Sequence, residues 1–175
     1  TKTDDLVLYA MHQSDKHENR LYANPGGLHK LSILARQRLD LARKAVADFM
    51  GAHTDEVVFT ASGTEGDNLA ILGAIKSAQQ NGITKPHIII SEIEHSAVIG
   101  LVQSLEQENN ISATYLQVDE NGLVDVKNIA EFLNENTILI SIHLVNNEIG
   151  TLEPVKEIVK VVRNYKKNKR NNLKK

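Results

Sequence analysis

The chain has 175 residues, 41% of them hydrophobic and 24% charged, with a net charge of −2; this is the makeup of a globular domain able to bury roughly 70% of its unfolded surface. There is no cysteine, which excludes disulfides, thiolate metal sites and a cysteine nucleophile within these residues. The seven histidines show no H-x-x-x-H or related ligand spacing, so no metal site is expected. No apolar run is long enough to span a bilayer and no secretory signal opens the chain, so the expectation is a cytoplasmic protein without a membrane partner.

Residues 1–20 are polar and mixed, with only Leu6 to Met11 apolar enough to pack, and read as an irregular segment. Asn24-Pro25-Gly26-Gly27 is a turn signal. After it Leu31, Ala35, Leu39, Ala42, Val46 and Phe49 recur at spacings of three and four, predicting an amphipathic helix stopped by Gly51. Val57-Val58-Phe59 reads as a short buried strand, Ser62-Gly63-Thr64 as a small-residue turn, and a helix follows to about Ala78. The continuous apolar run His87 to Ser91 predicts a buried strand of a parallel sheet. Val98, Leu101, Val102 and Leu105 give the next helix, Ala113 to Val118 a strand, Asp125 to Leu133 a short helix, and Thr137 to Leu144 the longest strand. Pro154 stands where a first helical residue should, before Val155, Ile158, Val159 and Val162. Alternation of this kind predicts an α/β fold: a three-layer α/β/α sandwich with a mainly parallel sheet and right-handed crossovers. Residues 166–175 carry six positive and no negative side chains, leaving −2 − 6 = −8 on the rest. Without interleaved aromatics this basic tail reads as a solvated terminus, and no nucleic-acid partner is expected.

In such a sheet ligands gather outside the carboxyl ends of the strands. Ser62-Gly63-Thr64, Glu92-Ile93-Glu94-His95-Ser96 and Asn146-Asn147-Glu148 all follow strand candidates. The N–H groups of the helix after Ser62, its dipole and the hydroxyls of Ser62 and Thr64 make an anion site, and an imidazole and a carboxamide on the same rim suit a phosphorylated, planar ligand. The same residues also read more simply: His95 as the cap of a helix beginning at Ser96, and Asn146 and Asn147 as a chain turn.

Four segments match a known family in order and spacing: Asn24-Pro25-Gly26-Gly27-Leu28-His29, the run from Phe59 to Ile71, Ile93-Glu94-His95-Ser96-Ala97-Val98, and Val145-Asn146-Asn147-Glu148-Ile149-Gly150-Thr151. Over residues 21–163 the chain resembles the cysteine desulfurases, pyridoxal 5'-phosphate enzymes of the class V aminotransferase group. The resemblance implies a partial large domain of the fold-type I transferases over residues 21–165. It makes Gly63 and Thr64 phosphate contacts, His95 a catalytic residue stacked on the cofactor ring and able to shuttle a proton, and Asn147 a donor to the cofactor's phenolic oxygen. In the complete enzymes it implies L-cysteine as substrate, L-alanine and an enzyme-bound persulfide as products, a homodimer, and a sulfur-acceptor or scaffold protein feeding iron–sulfur cluster assembly.

The family's D-x-x-Q strand end, its S-x-H-K Schiff-base segment and its cysteine loop have no match here, and Ala61-Ser62 stands where the family shows Ser-Gly. The resemblance therefore implies a fragment, with Val57 to Thr60 lacking a ladder partner and the isolated chain catalytically silent and at best partly folded. Other members of the group, such as a selenocysteine lyase, or a non-catalytic dimer-forming remnant are the alternatives. A dinucleotide-binding domain is disfavoured by the missing G-x-G-x-x-G.

Overall fold

The structure, a computed structural model, describes residues 4–14 and 23–172, and the chain forms two compact units, Thr1–Phe59 and Thr60–Lys175.

In the first unit α1 spans Asp5–Ser14, where the polar composition had suggested irregular chain. The signal lies at Asp4, whose carboxylate accepts the Leu6 N–H at 2.8 Å and so caps the helix. The rest of residues 1–20 lies outside the described residues. Helix α2, Lys30–Met50, begins at His29 and ends at Gly51, whose left-handed φ of 66° lets the chain turn back on the helix end. Residues 57–60 form no strand, correcting the expectation from Val57-Val58-Phe59. A single 3-10 turn at Thr54–Glu56 leads into extended chain that no ladder takes up. It is held from within the unit instead. Arg43 donates to the Val57 carbonyl and lies over the Phe59 ring, 5.0 Å from its centroid.

The second unit carries α3 (Gly63–Gln80), β1 (His87–Ser91), α4 (Ser96–Gln107), β2 (Ser112–Leu116), α5 (Ile129–Phe132), β3 (Thr137–Ser141) and α6 (Val155–Asn172). Its sheet has the order β2-β1-β3 and both pairings are parallel, as the apolar runs predicted. Among the described residues three strands are present where four had been read. Side-chain alternation along β1 builds two cores. Ile88 and Ile90 pack with Ile71, Ile75, Val98, Val102 and Ile111 from α3, α4 and the start of β2, while Ile89 faces Leu116, Val124, Ile129 and Ile158 on the opposite side. The result is the expected α/β/α layering, with all three central isoleucines fully buried. Helix α6 runs through Asn172, so the basic stretch from Lys166 is helical as far as the described residues reach. Among the described residues no helix is long and apolar enough to cross a membrane.

Candidate functional site

The carboxyl ends of β1 and β3 open into the segments that hold the candidate residues, and the N-terminus of α3 presents a third. At α3 the Ser62 hydroxyl accepts the Glu65 N–H at 3.2 Å, and the Glu65 carboxylate accepts the Ala61 N–H at 2.6 Å. This reciprocal cap consumes the donors on either side of Gly63 and Thr64 but leaves their own N–H groups and the Thr64 hydroxyl without a partner among the described residues. Both residues are exposed, and a Cβ built on Gly63 meets nothing within 4 Å. The helix start is thus open to an anion, and its unpaired donors and dipole favour one.

His95 does cap a helix. It is the N-cap of α4, and its Nδ1 accepts the Ala97 N–H at 3.1 Å. An acceptor Nδ1 fixes the tautomer: the ring proton sits on Nε2, the nitrogen turned away from the cap. While the cap holds, the ring can donate through Nε2–H, and the one lone pair that could take a further proton is the Nδ1 pair already given to the Ala97 N–H. Capping and ligand contact are therefore compatible, whereas proton uptake competes with the cap.

Asn147 lies in a hairpin-like loop closed by Val145 pairing with Leu152. Its neighbour Asn146 is buried and builds the turn, its Oδ1 accepting the N–H groups of Glu148 and Ile149 at 2.9 and 3.1 Å and its Nδ2 donating to the Ile93 carbonyl at 3.0 Å. Asn147 rides exposed on that turn with its carboxamide unengaged among the described residues. Beside it Glu94, 7% exposed, accepts the His143 N–H at 2.7 Å and the Ser141 hydroxyl at 3.3 Å. Glu153, also buried, accepts the Val124 N–H at 3.1 Å; burial and the nearby Glu94 and Asp119 carboxylates push its pKa up.

His95 and Asn147 line one small cleft with Ile93, Glu94, Ser96 and Asn146, while Gly63 and Thr64 do not line it. The structure thus joins two of the four expected contacts in one cavity and leaves the anion site at α3 as a separate feature of the same unit. Glu94 and Asn146, which shape the cleft, were not singled out for that role from sequence. Among the described residues no group of His, Asp or Glu could hold a metal ion.

A parallel sheet with helices packed on both faces makes this an α/β domain of fold type I. The chain belongs to the aminotransferase class-V family, which it matches over residues 1–168. It is 37% identical over 163 residues to a putative cysteine desulfurase IscS 1 of Bacillus subtilis, covering 93% of this chain and 41% of that protein. It is 41% identical over 137 residues to the cysteine desulfurase IscS of Clostridium botulinum, covering 78% of this chain and 34% of that one. Among solved structures a NifS-like protein superposes with a TM-score of 0.83 at 30% identity, covering 95% of this chain and 44% of that chain. SspA in complex with cysteine superposes with a TM-score of 0.79 at 35% identity, over 95% of this chain and 46% of that chain. The chain spans less than half the length of each of these relatives.

Proposed function

We propose that this chain carries part of the pyridoxal 5'-phosphate cradle of a cysteine desulfurase-type enzyme. The carrying observation is the open donor set at the start of α3, with Gly63 N–H, Thr64 N–H and the Thr64 hydroxyl unengaged beyond a capped turn. These donors fit a phosphate, and the cleft of His95 and Asn147 fits a planar, hydrogen-bonding ring. When bound, the cofactor supplies an electron sink for bond changes at the substrate's α-carbon. Thr64 and Gly63 would hold its phosphate, His95 would offer its Nε2–H on the ring side, and Asn147 would donate to its phenolic oxygen.

Conversion of L-cysteine to L-alanine with a persulfide left on the protein is the proposed activity of the complete enzyme, and the likeness to a structure in complex with cysteine supports the substrate. That persulfide needs a thiol, and this sequence has none, so the chain by itself forms no protein-bound persulfide. A homodimer, a sulfur acceptor or scaffold protein and a cytoplasmic location belong to the same proposal for the complete form.

The test is a titration of the chain with pyridoxal 5'-phosphate followed by absorbance, with pyridoxal as the control for imines formed on surface lysines. Saturable binding that depends on the phosphate is expected. Charge-assisted bonds are worth roughly 1.5–3 kcal/mol each, so Thr64→Ala should weaken binding roughly 10- to 100-fold. Binding no tighter than that of pyridoxal, or a preference for a dinucleotide, would overturn the reading.

A further inference from the structure

Two side chains tie the segment after β1 to the loop after β3, and they do so in opposite directions. Glu94 reaches from the first segment to accept the His143 N–H at 2.7 Å and the Ser141 hydroxyl at 3.3 Å. Asn146 reaches back from the second to donate to the Ile93 carbonyl at 3.0 Å. Each tie starts one residue from a cleft group: Glu94 precedes His95, and Asn146 precedes Asn147. A buried carboxylate is costly unless its oxygens are well bonded. Here they meet only neutral donors, and the imidazole of His143, whose Nδ1 stands 3.8 Å from Glu94 Oε1, has no hydrogen-bond partner for that nitrogen. An ordinary turn needs no such group. Two acceptor oxygens on one short stem are what allows a single side chain to grip both the end of β3 and the backbone beyond it.

We propose that Glu94 is a positioning residue of the cleft: by gripping Ser141 and the His143 amide it sets the Asn147 loop at a fixed place relative to the His95 cap. The proposal rests on the reading of His95 and Asn147 as cofactor contacts. Both carboxylate oxygens of Glu94 are engaged with Ser141 and the His143 N–H, so it acts through the backbone of the residues beside it. Asn146 completes the clamp, because its Oδ1 shapes the turn that presents Asn147 while its Nδ2 holds the turn against Ile93.

The experiment compares Glu94→Ala and Glu94→Gln in the full chain by amide hydrogen exchange without cofactor and by the absorption band of bound pyridoxal 5'-phosphate, whose position follows the hydrogen bond to its phenolic oxygen. Glu94→Ala should speed exchange over residues 143–150 by about 10-fold or more, weaken binding about 10-fold, and move the band toward that of the free cofactor. Glu94→Gln keeps one acceptor oxygen for the His143 N–H and offers an amide N–H that the Ser141 hydroxyl can accept, and should restore slow exchange and the wild-type band. Ser141→Ala, which removes one hydroxyl and no volume of consequence, should give a smaller change in the same direction and carries the test if Glu94→Ala does not fold. Exchange and band unchanged in Glu94→Ala, or in Ser141→Ala where that variant stands in, would overturn the positioning role while leaving the cofactor reading intact. A wild-type chain that binds no pyridoxal 5'-phosphate overturns the cofactor reading and this assignment with it.

Discussion

His87 stands at the amino end of the central strand, away from the cleft, with both ring nitrogens engaged. Its Nε2 lies 2.9 Å from the Thr114 hydroxyl on β2, and its Nδ1 lies 2.8 Å from the Thr137 hydroxyl on β3 and 3.0 Å from Asn134 Nδ2. Since the Asn134 amide can only donate, Nδ1 must accept, and the network suits a neutral ring. Burial lowers the His87 pKa from its ordinary 6.5. The unfolded chain therefore takes up a proton as pH falls through about 6.5 that the folded chain refuses until a lower pH. Stability contributed by His87 is full above that value and is lost below it. The midpoint of urea unfolding should accordingly be lower at pH 5.5 than at pH 7.5, and His87→Gln should lower the midpoint at both while removing this part of the difference. Glu153 acts in the opposite sense, because its raised pKa makes the folded state the better proton binder as pH rises from about 4.5. The contrast between wild type and His87→Gln, and not the raw slope, is what isolates His87; identical slopes would refute the assignment.

At the level of elements, the turn at residues 119–122 seats the loop that carries Asn147. Gly122 has a φ of 76°, and a Cβ there would come within 2.5 Å of Ile149 Cδ1 and 3.2 Å of the Thr151 hydroxyl, the same hydroxyl that donates to the Asn121 carbonyl at 2.7 Å. Gly122→Ala therefore adds left-handed strain and displaces a loop side chain. A loss of roughly 1–3 kcal/mol is expected in urea unfolding, with faster amide exchange over residues 146–151; a change within about 0.5 kcal/mol would show that the loop yields freely. That packing was invisible in the sequence, because Asn121-Gly122 announces a turn but not its neighbour 27 to 29 residues on. β1 was legible because its apolar run is buried along its whole length, while β2 and β3 are mostly half-buried and end earlier than the run of hydrophobic letters suggests. Val57 to Thr60 has the same composition and no ladder, since β-propensity reports fit to a pleated surface and needs a neighbouring strand to act. The clusters that hold His95 and Asn147 were readable from their place after strand candidates, and Asn147 was told apart from Asn146 only by the resemblance. Glu94 and Asn146 were not, because their role is a cross-strand tie formed between residues about 50 apart.

For the whole molecule, the sheet's strand β3 pairs among the described residues with β1 alone, and its sequence Thr137-Ile138-Leu139-Ile140-Ser141 carries no charge to discourage a further partner. An apolar groove of about 590 Å³ runs beside it, lined by Ile138, Ile140 and Ile142 and by Val159, Val162 and Tyr165 of α6. Elsewhere Leu144, Val145, Ile149 and Leu152 are exposed in the second unit, and Leu41, Phe49 and Met50 in the first. An unprotected strand edge next to apolar surface is the arrangement that natural sheets blunt with charge, proline or cover, and its free energy falls when it is covered. The isolated chain is therefore expected to associate with itself as its concentration rises. Sedimentation velocity from low to high micromolar should show growth in average mass, together with enhancement of a hydrophobic dye's fluorescence, and added salt should strengthen the association because apolar burial drives it. Introducing charge on the edge tests the same cause: Ile138→Lys and Ile140→Lys should each shift the growth to higher concentration. Both sit on a strand already half-buried, so unfolding midpoints must be recorded alongside. A chain that stays monomeric and dye-silent across that range would show that β3 and its groove are satisfied without a partner.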